Sequence, residues 1–211
     1  MTTLLPEEDC EKVLIWSAAE VDSGTVAPEL TRILAWARSY LVSPDPDLGR
    51  RGPVCPYTQP ALHRDLFHLA MSAGADVQDA VNCLRTWYVT TASALPTADR
   101  ELLTVLLVLP HLDHVDPTPL DDLQREAKDD FVDNGLMIGQ FHPTCEAPGL
   151  WNPHFHPLRA PIPLLAIRKL VVFDLPFLID RKNHLESFLR QFAPDIPARV
   201  RGQLTARLTA R

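Results

Sequence analysis

Glycine is scarce in this chain: 8 residues among 211, against 20 prolines. Neither a Walker A loop nor a GxGxxG fingerprint is present, which excludes the two commonest glycine-built phosphate cradles. HExxH, GxSxG and any evident pair of catalytic carboxylates are missing as well. No apolar run reaches the roughly 18 residues that a membrane-spanning helix needs. The N-terminal MTTLLPEEDC lacks the basic start and apolar stretch of a secretory signal, so the expected location is the cytoplasm, away from membranes. The four cysteines (Cys10, Cys55, Cys83, Cys145) show no CxxC spacing, which argues against a four-cysteine zinc site and excludes a CxxCH haem attachment. In a reducing compartment all four are expected to be thiols. Positive charge is also short, 20 Lys and Arg against 27 Asp and Glu, and the net charge of −7 argues against a nucleic-acid or anionic-membrane surface.

Apolar residues make up 46% and charged residues 22%, close to globular averages, so the chain folds, and 211 residues suit one domain over 1–211. Apolar spacing predicts a first helix around Cys10, Val13, Leu14 and Ser17, and a second around Leu30, Ile33, Leu34, Ala37 and Leu41. A third carries Val77, Ala80, Val81, Leu84 and Tyr88. A fourth carries Leu120, Leu123, Ala127 and Phe131, with Thr118 as N-cap and Asn134-Gly135 as a left-handed stop. A fifth starts at Asn183 with Glu186 placed for a capping box. A last one runs from Pro197 with Val200, Leu204 and Leu208 inside. Leu102–Leu109, Leu136–Phe141 and Leu164–Val172 read as buried strands. The first two flank the fourth helix at the spacing of a βαβ crossover, which predicts a parallel pair, an antiparallel connection staying open. The fold class is α/β, with mixed α+β as its variant: a sheet of at least three strands covered by helices, with long proline-rich loops.

The prolines gather at Pro44–Pro60 and Pro143–Pro163. Lacking an N–H and with φ fixed, they predict ordered irregular loops, the kind that carry function. The second run lies in the densest polar stretch, Gly135–Arg168. There a strand delivers His142 to its C-terminal end, where Pro143 stops it, and the loop adds Cys145, Glu146, Trp151, Asn152, His154, His156 and Arg159. One reading is a ligand or cofactor site centred on His142; the other is a histidine that caps a strand and bonds loop carbonyls. His142, His154 and His156 are a candidate metal triad. His111 and His114, flanked by Asp113 and Asp116, are either a second pair or an exposed polar loop. In the earlier loop, Cys55-Pro56 is a candidate thiolate ligand, and Arg50 and Arg51 face either an anion or solvent.

The stretches GPVCPYTQPAL, GLMIGQFHP and LWNPHFHPLRAPIPLLAIR resemble an uncharacterised bacterial family, a domain of unknown function whose members often stand near natural-product biosynthesis genes. The resemblance covers roughly residues 45–180. More remotely the chain is similar to the YqcI/YcgG family. The matching stretches are Pro53–Cys55, Ile138–Pro143, Trp151–His154, Leu158-Arg159 and Ile167-Arg168. Several members of that family are haem enzymes that N-hydroxylate guanidine or amine groups with dioxygen. The resemblance therefore implies haem iron held by His142, with Arg159 and Arg168 toward the propionates and Cys55, Trp151, Asn152 and His154 around the cofactor. It implies oxidation of a small amine, guanidine or amino-acid-like metabolite with dioxygen, in natural-product biosynthesis, by a cytoplasmic protein for which a homodimer is an option. The alternative is a non-catalytic ligand-binding or partner protein of such a pathway, without haem.

Overall fold

Val105, Leu106, Leu107 and Val108 are four consecutive buried apolar residues, and such a run needs cover on both faces. In the computed structural model, which describes residue 10 and residues 12–74, 76–113 and 116–209, it forms the middle of a five-stranded sheet. The strands are β1 (Val13–Ser17), β2 (Phe67–Ser72), β3 (Thr104–Val108), β4 (Leu136–Phe141) and β5 (Leu164–Lys169), in the order β1-β2-β3-β5-β4. The class is mixed α+β. The helices are α1 (Ala18–Ser23), α2 (Pro28–Trp36), α3 (Thr58–His63), α4 (Val77–Ala94), α5 (Thr97–Arg100), α6 (Thr118–Asp133), α7 (Lys182–Phe192) and α8 (Ala198–Thr209). A π-helical turn, Ala37–Leu41, continues α2.

The crossover from β3 through α6 to β4 forms as the spacing requires, and the two strands point the same way. They are not neighbours, however, because β5 lies between them, antiparallel to both. Among the described residues the one parallel pair is β2 with β3. The first expected helix is a correction: Val13–Ser17 is a strand, paired antiparallel from Val13↔Ser72 to Ser17↔His68. Its Val-Leu-Ile-Trp run suits a pleated, half-buried surface, and that preference outweighs a helical spacing only eight residues long. Ser17 then starts α1 through a capping box: its Oγ accepts from Glu20 N, and its own N–H donates to the Glu20 carboxylate at 2.7 Å. Strand β2 had no reading in the sequence.

Helix α6 begins at its expected cap, one residue earlier than the reading placed it. Thr118 is its first residue, and the Asp116 carboxylate accepts the Thr118 N–H at 3.1 Å. Gly135 ends the helix in the left-handed region with φ 73°, as expected. The capping box at Asn183 does not form; α7 starts at Lys182 with Arg181 before it. In α8 Leu204 is buried but Val200 is exposed, and the Leu208 side chain lies outside the described residues. The main core joins α2, α4 and α6 to the sheet, and a second cluster, including Val132, Met137, Leu185, Phe188 and Leu204, seats α7 and α8.

The expected thiols are corrected too. Cys10 and Cys83 form a disulfide with their Cα atoms 5.4 Å apart, because α4 packs beside β1, while Cys55 and Cys145 are free. Among the described residues no helix is long and apolar enough to cross a membrane.

Two outcomes follow. The bridge closes a loop with a separation of 73 residues, and the chain-entropy model gives such a cross-link about 4 kcal/mol. Cys83→Ala should therefore shift the midpoint of chemical denaturation strongly downward, whereas a midpoint unmoved by reductant would mean that the pair is not bonded. The second concerns acid. Burial pushes His184 below the ordinary 6.5, against the opposing pull of Asp129. Burial raises Asp129, but hydrogen bonds from His184, Arg181 and Asn183 outweigh it and hold its carboxyl low. Both groups thus bind fewer protons in the folded chain. For His184 stability is lost as pH falls below 6.5, and for Asp129 only as pH falls below 3.8. His184→Gln keeps a donor for Asp129 but cannot titrate, so the drop in melting temperature between pH 7 and pH 5 should shrink. An unchanged drop would assign the titration to His68, which burial also lowers.

Candidate functional site

Because β3 and β4 point the same way, their C-terminal ends, the first turn of α6 and the loop between β3 and α6 meet at one edge of the sheet. His142 stands there, only 3% exposed. Its backbone extends the ladder beyond β4: His142 N–H donates to Leu158 O, and Ala160 N–H to His142 O, both at 3.3 Å. The ring is held at Nδ1 and faces a carboxylate at Nε2. Nδ1 lies 3.2 Å from Thr144 Oγ1, and Nε2 lies 3.4 Å from Asp121 Oδ1, in the first turn of α6. That carboxylate oxygen is buried and has no hydrogen-bond partner among the described residues. A cavity of about 10 Å³ opens beside His142, walled by Asp113, Asp116, Leu120 and Pro163. Such a space holds about one water molecule.

The proline-rich loop after β4 replaces ladder bonds with local ones. Cys145 N–H donates to His142 O, Gly149 N–H to Phe155 O at 2.7 Å, and Arg159 Nε to Cys145 O at 3.1 Å. His156 Nδ1 meets Glu146 O at 3.1 Å. Asn152 Oδ1 accepts from His154 N, and its Nδ2 donates to Asp47 O at 2.7 Å, which ties this loop to the earlier one. The contact is close: Gly49, at φ 75°, faces Trp151 so tightly that an added Cβ would stand 2.9 Å from the Trp151 Cβ. A glycine is required there for both reasons. The outer face of Trp151 is left 67% exposed.

The candidate residues thus divide into three places. His142, Arg159 and Cys145 share the strand-end edge. Burial, reinforced by Asp121, pushes the Cys145 thiol up, which disfavours a thiolate nucleophile. Trp151, Asn152 and His154 lie on the surface where the two loops dock. Cys55 and Arg168 are together at the opposite end of the sheet. Phe141 pairs with Leu164 and Met137 with Arg168, so Arg168 stands about 13 Å along the strand from the His142 end. Its guanidinium is spent on Asp174: Nη1 donates to Oδ2 at 2.7 Å, Nη2 to Oδ1 at 2.5 Å, and Val171 N–H adds a third bond to the same carboxylate. His142, His154 and His156 do not converge. Among the described residues no group of three or more His, Cys, Asp or Glu is arranged to hold a metal ion. His111 and Asp113 are exposed, and His114 lies outside the described residues. Arg50 folds onto its own loop, donating to Arg51 O and Val54 O at 3.1 Å.

Asp121, Thr144 and Asp174 had no place in the sequence reading. The signal for Asp121 was available: a crossover returns the first turn of its helix to the edge at which both parallel strands end.

Set against known proteins, residues 30–203 match the sequence profile of the family described as Domain of unknown function (DUF6875), and the chain belongs to that family. No curated protein and no solved structure matches it.

The Arg168–Asp174 pair has a structural consequence that can be measured. Asp174 is almost fully buried, and removing one partner of such a pair strands the other. Asp174→Ala should cost about 3 kcal/mol by denaturant titration, and Arg168→Lys should recover little, because an ammonium cannot reproduce the two-pronged contact. A loss below about 1 kcal/mol for Asp174→Ala would show that the pair is dispensable and Arg168 open to another partner.

Proposed function

We propose that this member of the DUF6875 family is a haem-binding, oxygenase-like protein, with His142 as the iron ligand and a small nitrogen-containing metabolite as its substrate. The observation that carries the reading is the setting of His142: a buried imidazole at a strand end, on the wall of a cavity, with Nδ1 held by Thr144 and Nε2 facing Asp121. The resemblance of the motif order to that of the YqcI/YcgG family supports it. The donor chemistry fits, because an imidazole with one nitrogen oriented by a hydrogen bond is a good iron ligand. The space does not fit as it stands: about 10 Å³ admits a water, whereas pockets for small molecules and cofactors run to roughly 300–1,000 Å³. The proposal therefore requires Leu112, Asp113, Asp116 and Pro117, which wall the cavity, to leave the strand ends and Asp121 to give up its place beside Nε2.

Haem, when bound, would supply the activation of dioxygen. The chain's own residues would present Nε2 through the Thr144 contact and hold the loop rim through the Arg159 bond to Cys145 O. Arg159 keeps further donors for an anionic group. Arg168 does not serve this edge while Asp174 holds it. A second reading, a haem-free ligand-binding or partner protein, is favoured by the small cavity and by the Asp121 carboxylate facing His142.

One experiment separates the two. Protein purified from haem-supplemented cells should be red with a Soret band, and His142→Ala should lose that band while circular dichroism is unchanged. The substitution costs on the order of 1 kcal/mol from lost hydrogen bonding, too little to unfold a domain. Colourless protein, or a Soret band untouched by His142→Ala, would sink the ligand assignment; His156→Ala is the control.

A further inference from the structure

Among the described residues, a space large enough for a small molecule lies at the end of the sheet away from His142. An open groove of about 510 Å³ runs there between the last turns of α4, the start of β4, the end of β5 and α7. Its size lies within the usual range for ligand sites. Leu136 and Lys169 pair across β4 and β5 at this end, about 17 Å along β4 from Phe141, so the groove and the His142 edge are separate places.

Two cations line it, Arg100 and Lys169. Neither forms an ion pair with a carboxylate among the described residues, in a chain whose acids outnumber its bases. Arg100 is held in place: Nε donates to Leu95 O at 3.0 Å and Nη2 to Ser93 O at 3.3 Å. Those bonds close the C-terminal end of α4 and use two of the five guanidinium donors, which leaves donors for a ligand. The apolar wall comes from Val89, Ala92 and Leu136. Val89 is 52% exposed, an uncovered aliphatic side chain beside two cations. The acid in the groove, Asp133, already accepts a hydrogen bond from the Ser187 hydroxyl. The floor is polar but spent, because Tyr88 donates its hydroxyl to Leu103 O at 2.9 Å.

We propose that this groove binds a small organic carboxylate with an apolar body. Its carboxylate is taken by Lys169 and Arg100, and its hydrocarbon part lies on Val89, Ala92 and Leu136. A bare inorganic anion leaves that wall unused, and an organic cation meets two like charges. The site stands independently of any role for His142.

The test uses the full chain, labelled with nitrogen-15, and three probes: 4-phenylbutyrate, 4-phenylbutylammonium and inorganic phosphate. 4-Phenylbutyrate should give saturable shifts at the amides of Gly135, Leu136 and Lys169, and the ammonium should give none. Phosphate should bind more weakly than 4-phenylbutyrate. Lys169→Gln should weaken 4-phenylbutyrate about tenfold, the size of one charge-assisted hydrogen bond. Because Arg100 also closes a helix end, Arg100→Lys, which keeps the charge, should retain more affinity than Arg100→Gln at equal thermal stability. His142→Ala should leave binding unchanged. No saturable shift, equal binding of the ammonium, phosphate binding as tightly as 4-phenylbutyrate, or unaltered affinity in Lys169→Gln would each overturn the proposal.

Discussion

Strand β5 enters the sheet between β3 and β4, and its backbone is committed on both sides, to Thr104–Val108 along one edge and Leu136–Phe141 along the other. Buried backbone groups must be paired, so this insertion fixes the register of three strands at once. It also fixes polarity. With β5 antiparallel to both neighbours, one edge of the sheet receives the C-terminal ends of β3 and β4, with His142 and the α6 first turn. The other receives the end of β5, with Arg168 and Lys169. The residues of the single stretch Gly135–Arg168 are thereby sorted to opposite ends of the molecule.

That sorting explains what was legible in the sequence and what was not. Leu136–Phe141 is a strand with the bounds its apolar run suggests, and Gly135 stops α6 as Asn-Gly predicts. These are local matters, decided by neighbours in the chain. The crossover gave the right direction for β3 and β4 but not their separation, since the strand that parts them arrives only after a long loop. Val13–Ser17 was misread because a short run offers too few residues to tell a helical period from alternation. Pairing of Cys10 with Cys83 depends on α4 lying beside β1, which no local pattern encodes. Within the site, His142 at a strand end was legible; Asp121 beside it and Asp174 on Arg168 were not, because partners distant in sequence are set by the packing of whole elements.

The two proline-rich loops show how irregular chain becomes rigid. The first folds on itself through Val54 N–H to Ser43 O and Cys55 N–H to Leu41 O, at 2.9 and 2.8 Å. The second does so through Gly149, Phe155 and Arg159. They lock at Gly49 against Trp151 and at Asn152 on Asp47 O, and Tyr40 adds a hydroxyl bond to Pro157 O. Proline lowers the entropy of the unfolded loop, and the interlocking bonds satisfy what proline cannot donate. The motif residues Asn152 and His154 are used in this lock: the Asn152 side chain bridges both loops, and the His154 backbone closes its turn. Their resemblance to a family motif is accounted for by architecture, which leaves His142 as the motif residue on the wall of a cavity.

Charge differs at the two ends in a way that bears on function. At the His142 edge the cavity is bordered by Asp113 and Asp116, with Asp121 against the imidazole, so its field favours a cation or a proton donor. At the other end the Arg168 charge is cancelled by Asp174, while Arg100 and Lys169 pair with no carboxylate among the described residues and outnumber the one acid of the groove, Asp133, so that field favours an anion. A ligand bearing a carboxylate is repelled from the first edge and attracted to the second. Anionic haem propionates at the His142 edge would meet the same repulsion, with Arg159 the cation on that rim and Arg168 held away. Displacing Leu112, Asp113, Asp116 and Pro117 would remove the two acids together with the steric block. The space and the charge that oppose haem at His142 are therefore carried by the same segment, and its displacement is the physical condition on which that reading turns.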